Sequence, residues 1–150
     1  MNSKADLRNT IINFTVDGAA VPKQRPRLNG RSGMAYTPKK TREYESKVRD
    51  AFLASWRKAV PAYEKGVPVK ACIEVIQPIP KSWSNSRTLQ AQNGEIQPTA
   101  KNGDLDNYAK SILDALNGFV YADDCQVTTL IIHKKYGATP YVWIQFDEDI

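Results

Sequence analysis

The chain has 150 residues and a mass of 16.8 kDa, enough for one domain with a single core and too little for a catalytic domain plus a separate binding domain. Hydrophobic residues at 41% and charged residues at 25% give the balance of a folded globular protein, which excludes a disordered or membrane-embedded chain. The net charge of +5 is unevenly spread: Pro22 to Lys58 holds eleven Lys/Arg and three acids, whereas Asp104 to Asp124 holds five Asp and one Lys.

That distribution fits a solvated basic helix beside an acidic loop and, equally well, a polyanion-binding surface beside a cation site. The start, Met1-Asn2-Ser3-Lys4-Ala5-Asp6, is polar and leads into no apolar stretch of membrane-spanning length. Neither secretion nor membrane insertion is expected. The chain reads as cytoplasmic, one domain over 1–150 with residues 1–10 as a disordered tail. Cys72 and Cys125 stand far apart and outside any CxxC pair, so they read as buried or inert thiols.

In chain order, residues 11–16 are β-prone and run into the turn signal Asp17-Gly18. Residues 22–37 form a loop or ribbon rich in Pro, Gly and Arg. Thr37-Pro38 predicts a helix start, Thr37 as N-cap and Pro38 as first helical residue. Tyr44, Val48, Ala51 and Phe52 then recur at helical spacing to about Ala59, with Lys39, Arg42, Lys47, Arg49 and Lys58 on other faces. A second strand is predicted over 69–77, ended by Pro78 and Pro80. Ser82 is placed to cap a short helix from Trp83 to Gln92, and Asn93 to Gly103 reads as a loop. Leu105, Tyr108, Ala109, Ile112, Ala115 and Leu116 make an apolar helical stripe that Asn117-Gly118 terminates. Residues 126–135 and 140–147 are β-rich and joined by Gly137-Ala138-Thr139-Pro140, which predicts a terminal hairpin. The fold class expected is a mixed α/β (α+β) single domain, a mixed sheet with packed helices.

The acidic stretch carries the chemistry. Asp104 and Asp106 fall at the start of the third helix, where carboxylates suit the positive end of the dipole. Capping would explain one of them, but not two at i, i+2 followed by Asp123-Asp124 just before a strand. Two or three carboxylates without His or Cys are the oxygen-rich set that Mg²⁺ takes. Lys110 is either an i, i+4 partner of Asp106 or a cation beside a metal-bound phosphate. The helix spans ~18–20 Å at ~1.5 Å per residue, and residues 118–122 are long enough to cover most of it, which leaves convergence of the two acidic pairs open. A haloacid-type phosphotransferase or a glycosyltransferase would place its DxD after an apolar strand, where this chain has Lys101-Asn102-Gly103. An EF-hand needs Glu at its twelfth position, and Ala115 stands there. His133, the one histidine, lies in a predicted strand and reads as structural.

Asp104-Leu105-Asp106-Asn107-Tyr108-Ala109-Lys110, Asp114-Ala115-Leu116-Asn117-Gly118 and Asp123-Asp124-Cys125-Gln126-Val127 resemble the RusA family of Holliday junction resolvases. Upstream, Val21-Pro22-Lys23-Gln24-Arg25-Pro26-Arg27, Tyr36-Thr37-Pro38 and Pro78-Ile79-Pro80-Lys81-Ser82-Trp83 are similar to phage and prophage members. The resemblance covers most of residues 11–135. It implies a homodimeric DNA recombination and repair nuclease that nicks four-way junctions symmetrically with Mg²⁺, Mn²⁺ being a candidate substitute. Carried over by position, it implies catalytic roles for Asp104, Asp106, Lys110 and Asp124, with Asp123 as an adjacent metal ligand. Lys23, Arg25 and Arg27 fall on its DNA-contacting segment, and the basic helix adds Lys39, Lys40 and Arg42. The stretch from Asp114 to Asp123 is one residue shorter than the family pattern, which keeps Asp123 and Asp124 as alternatives. By residue chemistry alone, a non-catalytic DNA-binding protein and a metal-dependent hydrolase of other nucleic acids stay open.

Overall fold

A computed structural model describes residues 10–99 and 103–150, so the tail expected over 1–10 lies almost wholly outside the described residues, as do residues 100–102 of the predicted loop. The fold is mixed α+β. In chain order it runs β1 (Ile12–Asp17), β2 (Arg27–Leu28), β3 (Ala35–Tyr36), α1 (Lys39–Ser55), β4 (Val69–Pro78), α2 (Asn85–Gln92), α3 (Leu105–Ala115), a 3₁₀ turn (Asp124–Gln126), β5 (Val127–Gly137) and β6 (Tyr141–Glu148).

Four strands form one sheet in the order β1-β6-β4-β5. β1 alternates buried Ile12, Phe14 and Val16 with exposed residues, the period-2 pattern of a strand with one face on the core. α1 lays Tyr44, Val48 and Phe52 on that face, and α3 adds Tyr108, Ile112 and Ala115. Phe52 is wholly buried, edge-on to Phe14 at 5.8 Å and stacked on Trp56 at 6.0 Å; truncating such a ring to Ala removes about 3–5 kcal/mol. β2 and β3 form a separate two-stranded ribbon of exposed residues, closed by Asn29, whose Oδ1 accepts from Arg31 N at 2.9 Å.

The predicted terminal hairpin does not form. β4 lies between β5 and β6, parallel to β5 and antiparallel to β6. With Val69, Ala71, Ile73, Val75 and Ile76 all buried, β4 belongs in the middle of the sheet with a partner on each edge. The turn signal reported a chain reversal but not which strands pair. Residues 138–140 cross the end of β4 where Pro78, lacking an N–H, closes its pairing with Gly137. Gly137 passes so close to Ile76 Cγ2 that no side chain fits there.

The split pairing also separates the apolar residues of the two strands, Leu130 and Ile132 on β5 from Tyr141 and Trp143 on β6. Leu130 and Ile132 pair with the core-facing Ala71 and Ile73, whereas Tyr141 and Trp143 line a shallow depression with Thr15, Asp17 and Glu74 on the opposite face. They do not form one patch. Helix boundaries move slightly as well. Pro38 takes the N-cap position of α1 without a side-chain cap, and α1 ends at Ser55 rather than Ala59. Ser84, not Ser82, caps α2, its Oγ accepting from Arg87 N at 3.2 Å.

Candidate active site

α3 presents most of the residues singled out in sequence. Asp104 is its N-cap residue in extended backbone, and its carbonyl accepts from Asn107 N and Tyr108 N at 3.1 Å each. Its carboxylate makes no capping hydrogen bond. Asp106 stands in the first turn, and both acids are exposed. The helix dipole favours their charge, but neither is consumed as a cap. Gly103 sets the approach: at φ +107°, a backbone conformation suited to glycine, it lies against the Tyr108 ring where a Cβ would overlap it. Tyr108 is buried and accepts from Gln77 Nε2 at 3.1 Å on its hydroxyl. Burial chiefly raises its pKa; the Gln77 hydrogen bond works the other way and the charge of Asp104 adds to the rise.

Asp106, Lys110 and Asp114 recur at i, i+4 and i+8, so they share one face of α3 with the exposed Lys110 between the two acids. The turn after α3 brings Asp124 to the far end of that face. Asp124 N donates to Asn117 Oδ1 at 2.8 Å and to Asp123 Oδ1 at 2.9 Å. The Asp124 carboxyl is held above the usual carboxylate range, first by burial and then by the hydrogen-bonded, like-charged Asp114, with Asp123 adding to it. Asp123 differs in role: it caps the 3₁₀ turn, in a capping box with Gln126.

Gln126 explains the last residue of the acidic motif. It is buried, its Oε1 accepts from Ala122 N at 2.9 Å and Asp123 N at 3.2 Å, and its Nε2 donates to Glu64 O at 2.9 Å and Val67 O at 3.1 Å. The turn carrying Asp124 is thereby fastened to residues 64–67. Cys125 is exposed beside it rather than buried, and a hydrogen bond to Asp123 keeps its thiol pKa raised, which disfavours the reactive thiolate. Cys72 is half-buried in β4 and also free.

Asp106 and Asp114 therefore share one helix face, with Asp104 at the N-cap and Asp124 beside Asp114, but the acids do not meet at one point. Asp104 and Asp106 lie at the start of α3 and Asp114 with Asp124 at its end, ~12–15 Å along the axis at ~1.5 Å per residue. Among the described residues no three His, Cys, Asp or Glu side chains are grouped as a metal cage.

The basic residues separate into two kinds. Lys23 is internal, its side chain 15% exposed, with Nζ 3.1 Å from Glu45 Oε2 on α1 and 3.2 Å from Asp114 Oδ2 on α3. Burial lowers its pKa, but the two carboxylates outweigh that and leave it raised. Its backbone follows α3, Lys23 N donating to Asn107 O at 2.9 Å, next to Ser111 Oγ donating to Val21 O at 2.8 Å. Arg25, Arg27, Lys39, Lys40 and Arg42 are exposed, and Lys39 makes only a solvent-facing contact to Glu43 at 3.7 Å. Sequence reasoning gave no site role to Glu45, Asp114 or Asn117, although Asp114 and Asn117 stand in a segment that carries the family resemblance and Asn117 was read as part of the helix stop; the i, i+4 spacing of Asp114 from Lys110 was the further signal.

No helix among the described residues is long and apolar enough to cross a membrane. The sequence profile of the family described as Endodeoxyribonuclease RusA matches residues 17–146. The chain is also 38% identical over 141 residues to a Bacillus subtilis (strain 168) protein described as "Uncharacterized protein YqaN", covering 91% of this chain and 96% of that one. The matched span runs from the end of β1 to β6 and contains the whole of the acidic helix face and its fastened turn, so the chain belongs to the RusA family of endodeoxyribonucleases.

Proposed function

We propose that this protein is a Mg²⁺-dependent endonuclease that resolves four-way DNA junctions by paired symmetric nicks. The observation that carries the reading is the RusA match over residues 17–146 enclosing two exposed carboxylates, Asp104 and Asp106, that no capping hydrogen bond consumes. The donor chemistry suits a hard cation: Asp104 and Asp106 at the start of α3, and Asp124 with Asp123 beyond its end, offer only carboxylate oxygens, and the distance between the two groups leaves each as a separate partial site in the single chain. The crowding of Asp124 against Asp114 is the kind of like-charge contact that a cation relieves, and it adds Asp114 to the set. Bound Mg²⁺, or Mn²⁺ in its place, polarises a phosphate and lowers the pKa of a coordinated water.

The protein's own groups supply the rest. Lys110, between Asp106 and Asp114, offsets charge that develops on the phosphoryl oxygens. Water adds to phosphorus as the bond to the 3′ oxygen breaks, leaving a 5′-phosphate and a 3′-hydroxyl. Arg25, Arg27, Lys39, Lys40 and Arg42 contact backbone phosphates, so affinity falls steeply with salt. Two equivalent strands to cut call for a homodimer. Such an enzyme would act in the cytoplasm in recombination and repair, and the resemblance of Val21 to Arg27 and Pro78 to Trp83 to phage and prophage members supports a phage or prophage setting.

One gel tests the reading: a synthetic four-way junction beside linear duplex and single strand, with and without Mg²⁺. Paired symmetric nicks in the junction alone, only with metal, are expected. Equal cutting of single strand would replace junction resolution with a general nuclease, and no cutting of any DNA would leave a binding protein. Asp106→Asn should bind the junction and leave it uncut.

A further inference from the structure

The segment Pro78 to Trp83 takes no part in the chemistry above, yet it builds one wall of a cavity next to it. About 350 Å³ in volume, within the ~300–1,000 Å³ range of small-molecule sites, the cavity lies at the end of β4, lined by Gln77, Pro78, Pro80, Trp83, Tyr108 and Tyr136. Ala19 and Ala20 form its other side, where small residues leave the space open. Trp83 meets Tyr136 edge to face at 5.3 Å, which fixes the angle between the two rings. The Arg87 guanidinium lies over the Trp83 ring at 4.0 Å and adds positive charge beside the cavity. Gln77 and Tyr108 place an amide and a hydroxyl, bonded to each other at 3.1 Å, among these rings. Tyr108 also ties the cavity to Asp104: its backbone N donates to Asp104 O at 3.1 Å, and its ring lies against Gly103, the residue before Asp104.

We infer that this cavity holds an unstacked nucleobase of the strand being cut, flat against the aromatic wall, with the amide of Gln77 reading its edge. The inference rests on the endonuclease reading and specifies how that same site selects its position. The chemistry of the walls defines the ligand class. A planar, heteroatom-edged ring matches an aromatic corner built from two rings set edge to face, together with the Gln77 amide oxygen and its second N–H, whereas an aliphatic chain would leave the amide unused. Proximity to Asp104 defines which base: one adjoining the scissile phosphate. Bases beside a strand exchange are the least expensive to unstack, so the pocket also favours branched DNA over continuous duplex.

The test couples a DNA change to a protein change. Cut positions are mapped on a four-way junction with Mg²⁺, and a stable abasic analogue then replaces each nucleotide flanking the cut. Binding is measured without divalent cation so that the DNA stays whole. At one flanking position the abasic analogue should weaken binding of the unaltered protein on the order of 10-fold to 100-fold, the scale of one base–aromatic stack. In Trp83→Ala the same analogue should have no further effect. Gln77→Leu should level the preference among the four bases at that position, a change that lost packing alone would not produce. The DNA arm uses the unaltered chain, so it remains decisive if Trp83→Ala does not fold. Binding insensitive to every flanking abasic site, or losses that add independently in Trp83→Ala, would overturn the base pocket while leaving the endonuclease reading intact. Failure of the unaltered chain to bind or cut any junction would overturn both.

Discussion

Replacing Lys23 by Met keeps the aliphatic stem and removes the ammonium that joins Glu45 on α1 to Asp114 on α3. Two charge-assisted hydrogen bonds disappear, each worth about 1.5–3 kcal/mol when intact. The side chains involved are 15%, 14% and 25% exposed, so the site lies between a solvent-facing pair, worth about 0–1 kcal/mol, and a fully buried one, about 3–5 kcal/mol when broken. Water will reach part of the gap, and a loss of roughly 2–3 kcal/mol follows. For a chain of this size each kcal/mol moves the melting temperature by about 2–4 °C, so the variant should melt ~4–12 °C lower. Because the folded state raises the lysine pKa, the Lys23 contribution is fully present below the unfolded pKa and fades only as pH rises through the folded one, above roughly pH 10. The difference between variant and parent should therefore be flat across neutral pH. Thermal and urea melts measure the stability, and a salt titration of DNA binding supplies the second readout. A lysine that contacts phosphate lowers the slope of log affinity against log salt by about one when removed; an internal lysine leaves it unchanged. An unaltered melting temperature together with a slope reduced by a full unit would refute the reasoning and return Lys23 to the DNA surface.

Gln126→Leu removes four hydrogen bonds at once and should lower stability by about 2–4 kcal/mol, read from urea midpoints; a loss under about 1 kcal/mol would mean the turn is not held this way. Gly103→Ala forces a side chain into the Tyr108 ring at positive φ, and the resulting shift of Asp104 should slow cleavage on the order of 100-fold, with a rate equal to the parent counting against the proposed positioning. Asp123→Ser retains a capping oxygen and should keep most activity, whereas Asp124→Asn should abolish it; the reverse ranking in a junction cleavage assay would exchange their roles.

Most elements were legible because their signals are local. The period-2 burial of β1 and the stripe from Leu105 to Leu116 follow from side-chain geometry within a few residues. The pairing of β5 and β6 was not legible, since Gly137 to Pro140 marks a reversal whichever strand fills the gap, and β4 fills it from sixty residues away. The site divides along the same line. Asp106 and Lys110 are visible as one helix face, and Asp104 as the residue at its start. The contacts of Asp124 with Asp114, and of Lys23 with Glu45, join segments distant in sequence, and nothing in Pro22-Lys23-Gln24 marks the lysine as inward-facing.

Among the described residues β6 is the one strand that pairs with both β1 and β4, and β1 has no other strand partner. The sheet therefore cannot close until residues 141–148 are in place, however early the acidic helix has been made. Pairings of such long reach form slowly compared with local ones. Residues 104–124 precede β6 in the chain, so the segment that carries the acids is made before the strand that completes the sheet, and the sheet is whole only once residues 141–148 have joined it.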